Sequence, residues 1–145
     1  MKVDKERLKK YLLEILADTR DIEELFGKYE DEEILQNKHL MKSLKYSLVE
    51  VSEAISLVLQ HILAKHFGVP VKGYIDTVQK ASEKKLISKN LASSLKPFFD
   101  FRNSLVHRYW MINNQLLLAN GRAGYHDFQK LIQEVEDFLD TIHEE

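Results

Sequence analysis

No cysteine occurs in the 145-residue chain. That excludes disulfide frameworks, thiolate zinc sites and cysteine nucleophiles, and it suits a reducing compartment. Two prolines and five glycines are too few for the many tight turns of an all-β fold. No apolar run approaches the ~20 residues of a membrane span. The charged stretch Met1 to Tyr11 carries no apolar leader segment. Neither sign of charge dominates: 21 bases stand against 23 acids, net -2, which argues against a sequence-independent nucleic-acid coat. These absences leave one helical, cytoplasmic domain over residues 1–145 with no membrane association as the expectation.

What is present fits a folded domain. With 44% apolar and 30% charged residues, the composition is that of a globular chain rather than a disordered one. A domain of this size buries roughly 70% of its unfolded surface and needs no covalent staples. The charge is unevenly distributed. Residues 1–33 carry a net -4 and residues 126–145 a net -6, while residues 80–110 carry +5. That middle segment permits a local surface facing anions.

Apolar residues recur at helical spacing from Asp4 to Phe26, with Gly27 as the stop. The acidic run Tyr29 to Glu33 reads as the start of a second helix, where negative charge suits the macrodipole. Its stripe of Leu40, Leu44, Leu48, Val51, Ile55, Leu59, Ile62 and Leu63 extends to about Lys65, long enough for a break or an overhanging end. His66 to Gly73 is a turn, and Tyr74 to Lys84 a short helix. Ser88 reads as the N-cap of a helix running to about Tyr109. Pro97 should kink that helix or mark a fresh start. Asn113 to Gly124 reads as a loop holding a short apolar piece, Leu116 to Ala119. Asp127 to His143 is the last helix. Four or five antiparallel helices with short connections predict an all-α, up-and-down helical bundle.

The chemistry concentrates in Phe98 to Trp110, FFDFRNSLVHRYW. At about 100° per residue, Phe98, Phe101 and Leu105 share a core-facing stripe with Val106 beside it. Arg102 and Tyr109 then project in nearly the same direction, and Asn103 lies over His107. Arg102 and His107 are about 140° apart on an ideal helix, so a distortion or a second copy of the segment would help them converge. A histidine moves protons near neutral pH. An arginine offers a planar fork to phosphate oxygens, and an asparagine orients a phosphate or leaving group. The set suits phosphodiester cleavage in which an RNA 2′-hydroxyl attacks its own phosphate, a route that needs neither metal nor protein nucleophile.

Arg102 to Tyr109 resembles the Arg-x-x-x-x-His-x-Tyr motif of the HepT-like toxins of the HEPN superfamily, with Asn103 after the arginine as in many members. Leu44 to Leu63 is similar to that family's long second helix, Gly68-Val69-Pro70 to its following turn, and Leu86 to Leu95 to its lead into the motif helix. The resemblance covers about residues 34–118. Pro97 and the highly charged first 33 residues depart from the pattern without touching the motif. It implies an all-α homodimer with the two motif segments facing each other across a cleft. The implied activity is that of a metal-independent ribonuclease, the toxin of a type VII toxin–antitoxin pair, acting on RNA such as tRNA or mRNA with no metal or other cofactor. The implied antitoxin is an MntA-like nucleotidyltransferase that transfers AMP to the motif tyrosine. Carried over, Arg102 and His107 are catalytic, Asn103 supports them, and Tyr109 accepts the AMP. The rival readings are a non-catalytic nucleotide-binding or partner subunit of a minimal nucleotidyltransferase, and a purely structural dimerisation domain.

Glu53, where many relatives carry an acidic residue, is read first as a solvent-facing or interface glutamate and second as a group that orients Arg102 or His107. His61 and His66 are read as surface or helix-end histidines, and no histidine has companions suited to a metal. Trp110 and Met111 are assigned to packing. Tyr46, Tyr74 and Tyr125 have no case beyond structure, and the acidic last helix reads as a solvated face.

Overall fold

The computed structural model describes residues 2–108 and 112–142, with the side chains of residues 106–108 outside that description. The described residues form seven helices, where four or five were expected. Helix α1 spans Lys5–Lys28 and is capped by Asp4, whose carboxylate accepts from the Arg7 N–H. Its stripe of Leu8, Leu12, Ile15, Ile22 and Phe26 is buried. The helix runs through Gly27, beside which the space is open, and closes when the Tyr29 N–H donates to the Leu25 carbonyl at 3.1 Å.

The expected second helix is two. Helix α2, Asp31–Gln36, opens on a capping box between Glu30 and Glu33. Asn37 ends it and caps α3, Lys38–Lys65, by accepting from the N–H groups of His39 and Leu40. At ~1.5 Å per residue α3 is roughly 42 Å long. It is the one helix among the described residues that is long and apolar enough to cross a bilayer. Its apolar side chains are instead spent on the core: Leu44, Leu48, Val51, Ile55, Leu59, Ile62 and Leu63 are all about fully buried.

Helix α4, Gly73–Glu83, and helix α5, Lys89–Arg108, follow. Between them Lys85 takes a left-handed conformation, φ 61°. The Leu86 N–H donates to the Ala81 carbonyl and the Lys85 N–H to the Ser82 carbonyl, a Schellman closure with lysine where glycine is usual. Ser88 caps α5 as expected, its hydroxyl oxygen accepting from the Leu91 N–H. Glu134 of the last helix accepts from both the N–H and the hydroxyl of Ser88, so that acidic helix is not only a solvated face. Helix α5 is continuous across Pro97, which marks no fresh start. The residues it buries are Leu91, Leu95, Phe98 and Phe99. Phe101 and Leu105, expected on that stripe, are half-buried.

The expected loop after residue 113 is a helix. Helix α6, Asn114–Gly124, is capped by Asn113, which accepts from the Leu116 N–H. Two things stabilise it that sequence pattern does not display. Gly121 is buried beside the Phe26 ring and Leu48. Arg122 bonds Asp31 and the Phe26 and Tyr29 carbonyls while lying over the Phe26 ring. Helix α7, His126–Thr141, completes the chain.

The four longest helices close a ring: α1 packs on α3, α3 on α5, α5 on α7 and α7 on α1. Asp4 at the start of α1 reaches His61 near the end of α3, and Ser88 before α5 reaches Glu134 in α7, so neighbours run antiparallel. The short helices α2, α4 and α6 bridge the ends. This is the expected all-α, up-and-down bundle, and it holds the middle of α5 against the middle of α3.

Candidate functional site at the α3–α4–α5 junction

Arg102 leaves α5 toward α3, and its side chain is only 18% exposed. Its Nη2 donates to Glu53 Oε1 at 3.2 Å, forming an ion pair across 49 residues of sequence. Its Nη1 lies 3.4 Å from Asn103 Oδ1. The guanidinium carbon lies 4.2 Å from the centroid of the Tyr74 ring, within cation–π range. Tyr74 in turn stacks on Phe99, centroids 5.7 Å apart at 30°. The order Phe99, Tyr74, Arg102 is therefore a stack that rises from the core to the surface.

The arginine is thus fixed from three sides. Phe99 is wholly buried and anchors Tyr74. The turn that ends at Gly73, φ 81°, brings Tyr74 in at the start of α4. Glu53 is carried on α3 among buried Val51, Ala54 and Ile55, which fixes its backbone while its carboxylate stays half-exposed. Burial raises the Tyr74 phenol above its ordinary value; Arg102 opposes this and Glu53 adds to it. The phenol therefore stays neutral near pH 7, with Arg102 lying over its ring.

One group on the arginine is unspent. Arg102 Nε is buried and, among the described residues, has no hydrogen-bond partner. A buried donor left unpaired costs about 1–3 kcal/mol, and a guanidinium fork is well matched to a phosphate oxygen.

The structure brings Arg102 and Asn103 together as the spacing implies. Glu53, whose surface reading came first, meets Arg102. Tyr74, read as structural only, is the group sequence reasoning missed. An aromatic at the start of an amphipathic helix carries no sign of which neighbour it will face. His107 lies in the last turn of α5; its side chain, and the whole of Tyr109, Trp110 and Met111, lie outside the described residues, as does His143. His66 is exposed at the end of α3, with its ring edge-on to Phe67 and Phe138. His61 is structural: its Nε2 accepts from the Asp4 N–H at 2.8 Å.

A sequence profile described as Ribonuclease HepT-like matches residues 15–135. A protein of Archaeoglobus fulgidus named "Putative RNase" is 32% identical over 97 residues, which is 67% of this chain and 73% of its own. Among solved structures, a tri-AMPylated HEPN toxin of Shewanella oneidensis in complex with MNT antitoxin has a TM-score of 0.82 and 20% identity, covering 90% of this chain and 97% of its own. YutE of Bacillus subtilis, described as a cytosolic protein of unknown function, has a TM-score of 0.83 and 16% identity over 96% and 92%. At these identities the two solved structures establish a common fold.

Proposed function

The chain belongs to the HepT-like ribonuclease family, and from that premise we propose that it is a metal-independent endoribonuclease, the cytoplasmic toxin of a toxin–antitoxin pair. Arg102 binds and stabilises the scissile phosphate, His107 moves the proton, and Asn103 supports the arginine. The observation that carries this reading is the Arg102 guanidinium, held in place by Glu53 and Tyr74 with part of its side chain open to solvent. Preorganised donors aimed at developing charge are the largest single source of rate in many enzymes.

The reaction is an internal transfer. The RNA 2′-oxygen attacks the adjacent phosphorus as its proton is removed. The P–O5′ bond breaks, and the departing 5′-oxygen takes up a proton. The products are a 2′,3′-cyclic phosphate and a free 5′-hydroxyl. Arg102 stabilises the extra charge on the non-bridging oxygens, and His107 supplies the acid–base step. Two such segments facing each other in a homodimer would bring an arginine and a histidine to one phosphate despite their divergence on a single helix.

Regulation follows from the same segment. An MntA-like nucleotidyltransferase partner would place AMP on Tyr109, seven residues beyond Arg102, adding an anion that competes with RNA phosphate for the arginine. The Shewanella toxin of similar fold is tri-AMPylated and is in complex with an MNT antitoxin.

The test uses the unmodified dimer, its intact mass checked first. Wild type should cleave total tRNA in EDTA, and His107→Ala should not. Addition of the nucleotidyltransferase, ATP and magnesium should add one or more AMP masses to wild type and none to Tyr109→Phe. Intact RNA with clean protein across several substrates would overturn the nuclease reading. It would favour the binding subunit, a role that suits the chain's net charge of -2.

A further inference from the structure

A second cluster lies on the other side of Glu53, where α1 crosses α3. Glu14 and Asp18 are one turn apart on α1, and Glu50 is one turn before Glu53 on α3. One carboxylate oxygen from each of Glu14, Asp18 and Glu50 lies within 4.8 Å of the other two. Three like charges at this spacing repel one another. Among the described residues no lysine or arginine forms an ion pair with any of them. Tyr46 is beside them, and its hydroxyl donates to Glu50 Oε2 at 2.9 Å.

Acidic residues gathered on an exposed surface are ordinary, but Asp18 is not exposed. It is 5% accessible and sits in the buried face of α1 between Ile15 and Ile22, next to Thr19. Its Oδ2 is fully buried, and among the described residues it has no hydrogen-bond partner. A buried carboxylate oxygen without a partner is strongly unfavourable, and apolar or amide residues at this position would avoid the cost. Here the buried carboxylate lies against two further carboxylates, with Glu14 open to solvent as an entry route.

We propose that Glu14, Asp18 and Glu50 bind a single divalent cation, with Asp18 as the buried ligand and Glu14 at the solvent edge. Three carboxylate oxygens and no nitrogen or sulfur suit a hard ion such as Mg²⁺, Ca²⁺ or Mn²⁺ completed by water. A cation there removes the repulsion and joins α1 to α3. Without it, burial, then a hydrogen bond shared with Glu50 and the charges of Glu50, Glu14 and Asp21, raise Asp18 to about 8, so a proton stands in for the ion near neutral pH. Glu14 is also raised, by burial and then by Glu50 and Glu53. The ion is structural: the cleavage proposed at Arg102 takes no step through it.

The experiment needs no RNA, so its outcome is independent of the nuclease reading. Full-length protein is stripped with EDTA, exchanged into chelator-free buffer and titrated with Mn²⁺, followed by electron paramagnetic resonance and by thermal melting. Wild type should bind one Mn²⁺ per chain at roughly 10⁻⁴ M and melt at a higher temperature as Mn²⁺ is added. Asp18→Asn and Glu14→Gln should each weaken binding at least tenfold. Glu23→Gln, an exposed change elsewhere on α1, should leave it unaltered. Glu14 is exposed, so its variant folds and keeps the comparison valid even if Asp18→Asn does not. A free-ion spectrum with wild type, or equal binding by wild type, Glu14→Gln and Glu23→Gln, would overturn the proposal. In that case a proton or a cationic side chain of a partner protein fills the cluster.

Discussion

Glu53 Oε1 lies 3.2 Å from Arg102 Nη2, and this pair joins the centre of α3 to the motif helix. The arginine is mostly buried and the glutamate half-exposed, so the pair is asymmetric. Removing the arginine strands little, whereas removing the glutamate leaves a shielded guanidinium without its counter-charge. Because the glutamate is exposed, the pair is worth no more than about 1 kcal/mol to the fold. Its consequence is for orientation. Glu53→Ala should lower RNA cleavage about tenfold or more through kcat, with thermal stability nearly unchanged. Glu53→Gln keeps an acceptor and should recover most of the loss. Steady-state kinetics beside a melting curve for each variant separate these effects.

Tyr74 is the other support. Tyr74→Leu removes the ring over Arg102 and the stack on Phe99. It should cost about 1–2 kcal/mol in urea unfolding and lower kcat in step with Glu53→Ala. Tyr74→Phe keeps both ring contacts and should retain most of the wild-type stability and kcat.

His61 predicts a pH dependence. Its pKa is lowered, first by burial and then by Arg7 and Lys65, with Asp4 opposing; the bond it accepts from the Asp4 N–H requires the neutral ring. The unfolded chain therefore takes up this proton first as pH falls. The contribution of His61 to stability is complete above the unfolded value of about 6.5 and is lost as pH falls through the folded value below it. Urea unfolding between pH 7.5 and 5 should show wild type losing stability relative to His61→Gln on the acid side. A constant difference across that range would contradict the assignment.

The two glycines of α6 should answer oppositely to alanine. At Gly121 a Cβ would meet Phe26 at 3.5 Å, an ordinary contact, and helix propensity favours the change by up to about 1 kcal/mol. At Gly124 it would lie 3.0 Å from two atoms of the Phe98 ring, which is buried against Phe128 and has little room to yield. Gly121→Ala should raise the melting temperature and Gly124→Ala lower it.

The bundle was legible wherever apolar residues kept a long period. The stripes of α1, α3 and α7 name their own buried faces. Breaks and short helices were not legible, because they depend on partners distant in sequence. Asn37 divides the second helix with a side-chain cap, and α6 holds together through Arg122 reaching Asp31 and Phe26 some 90 residues away. The site divides in the same way. Arg102 and Asn103 are neighbours on one helix, and their spacing announced them. Glu53 and Tyr74 come to Arg102 only when α3, α4 and α5 pack, and nothing local to either residue shows it. The carboxylate cluster of Glu14, Asp18 and Glu50 escaped a search for metal ligands for the same reason, since two helices supply it.

The central claim is that Arg102 stabilises the phosphate during internal transfer from the RNA 2′-oxygen. The most direct measurement is end-group analysis of a defined RNA incubated with unmodified protein in EDTA, wild type beside Arg102→Ala. The account predicts 2′,3′-cyclic phosphate and 5′-hydroxyl ends from wild type and at least a hundredfold slower formation by the variant, about 2.7 kcal/mol of transition-state stabilisation. Linear 3′-hydroxyl and 5′-phosphate ends, or equal rates for the two proteins, would contradict it.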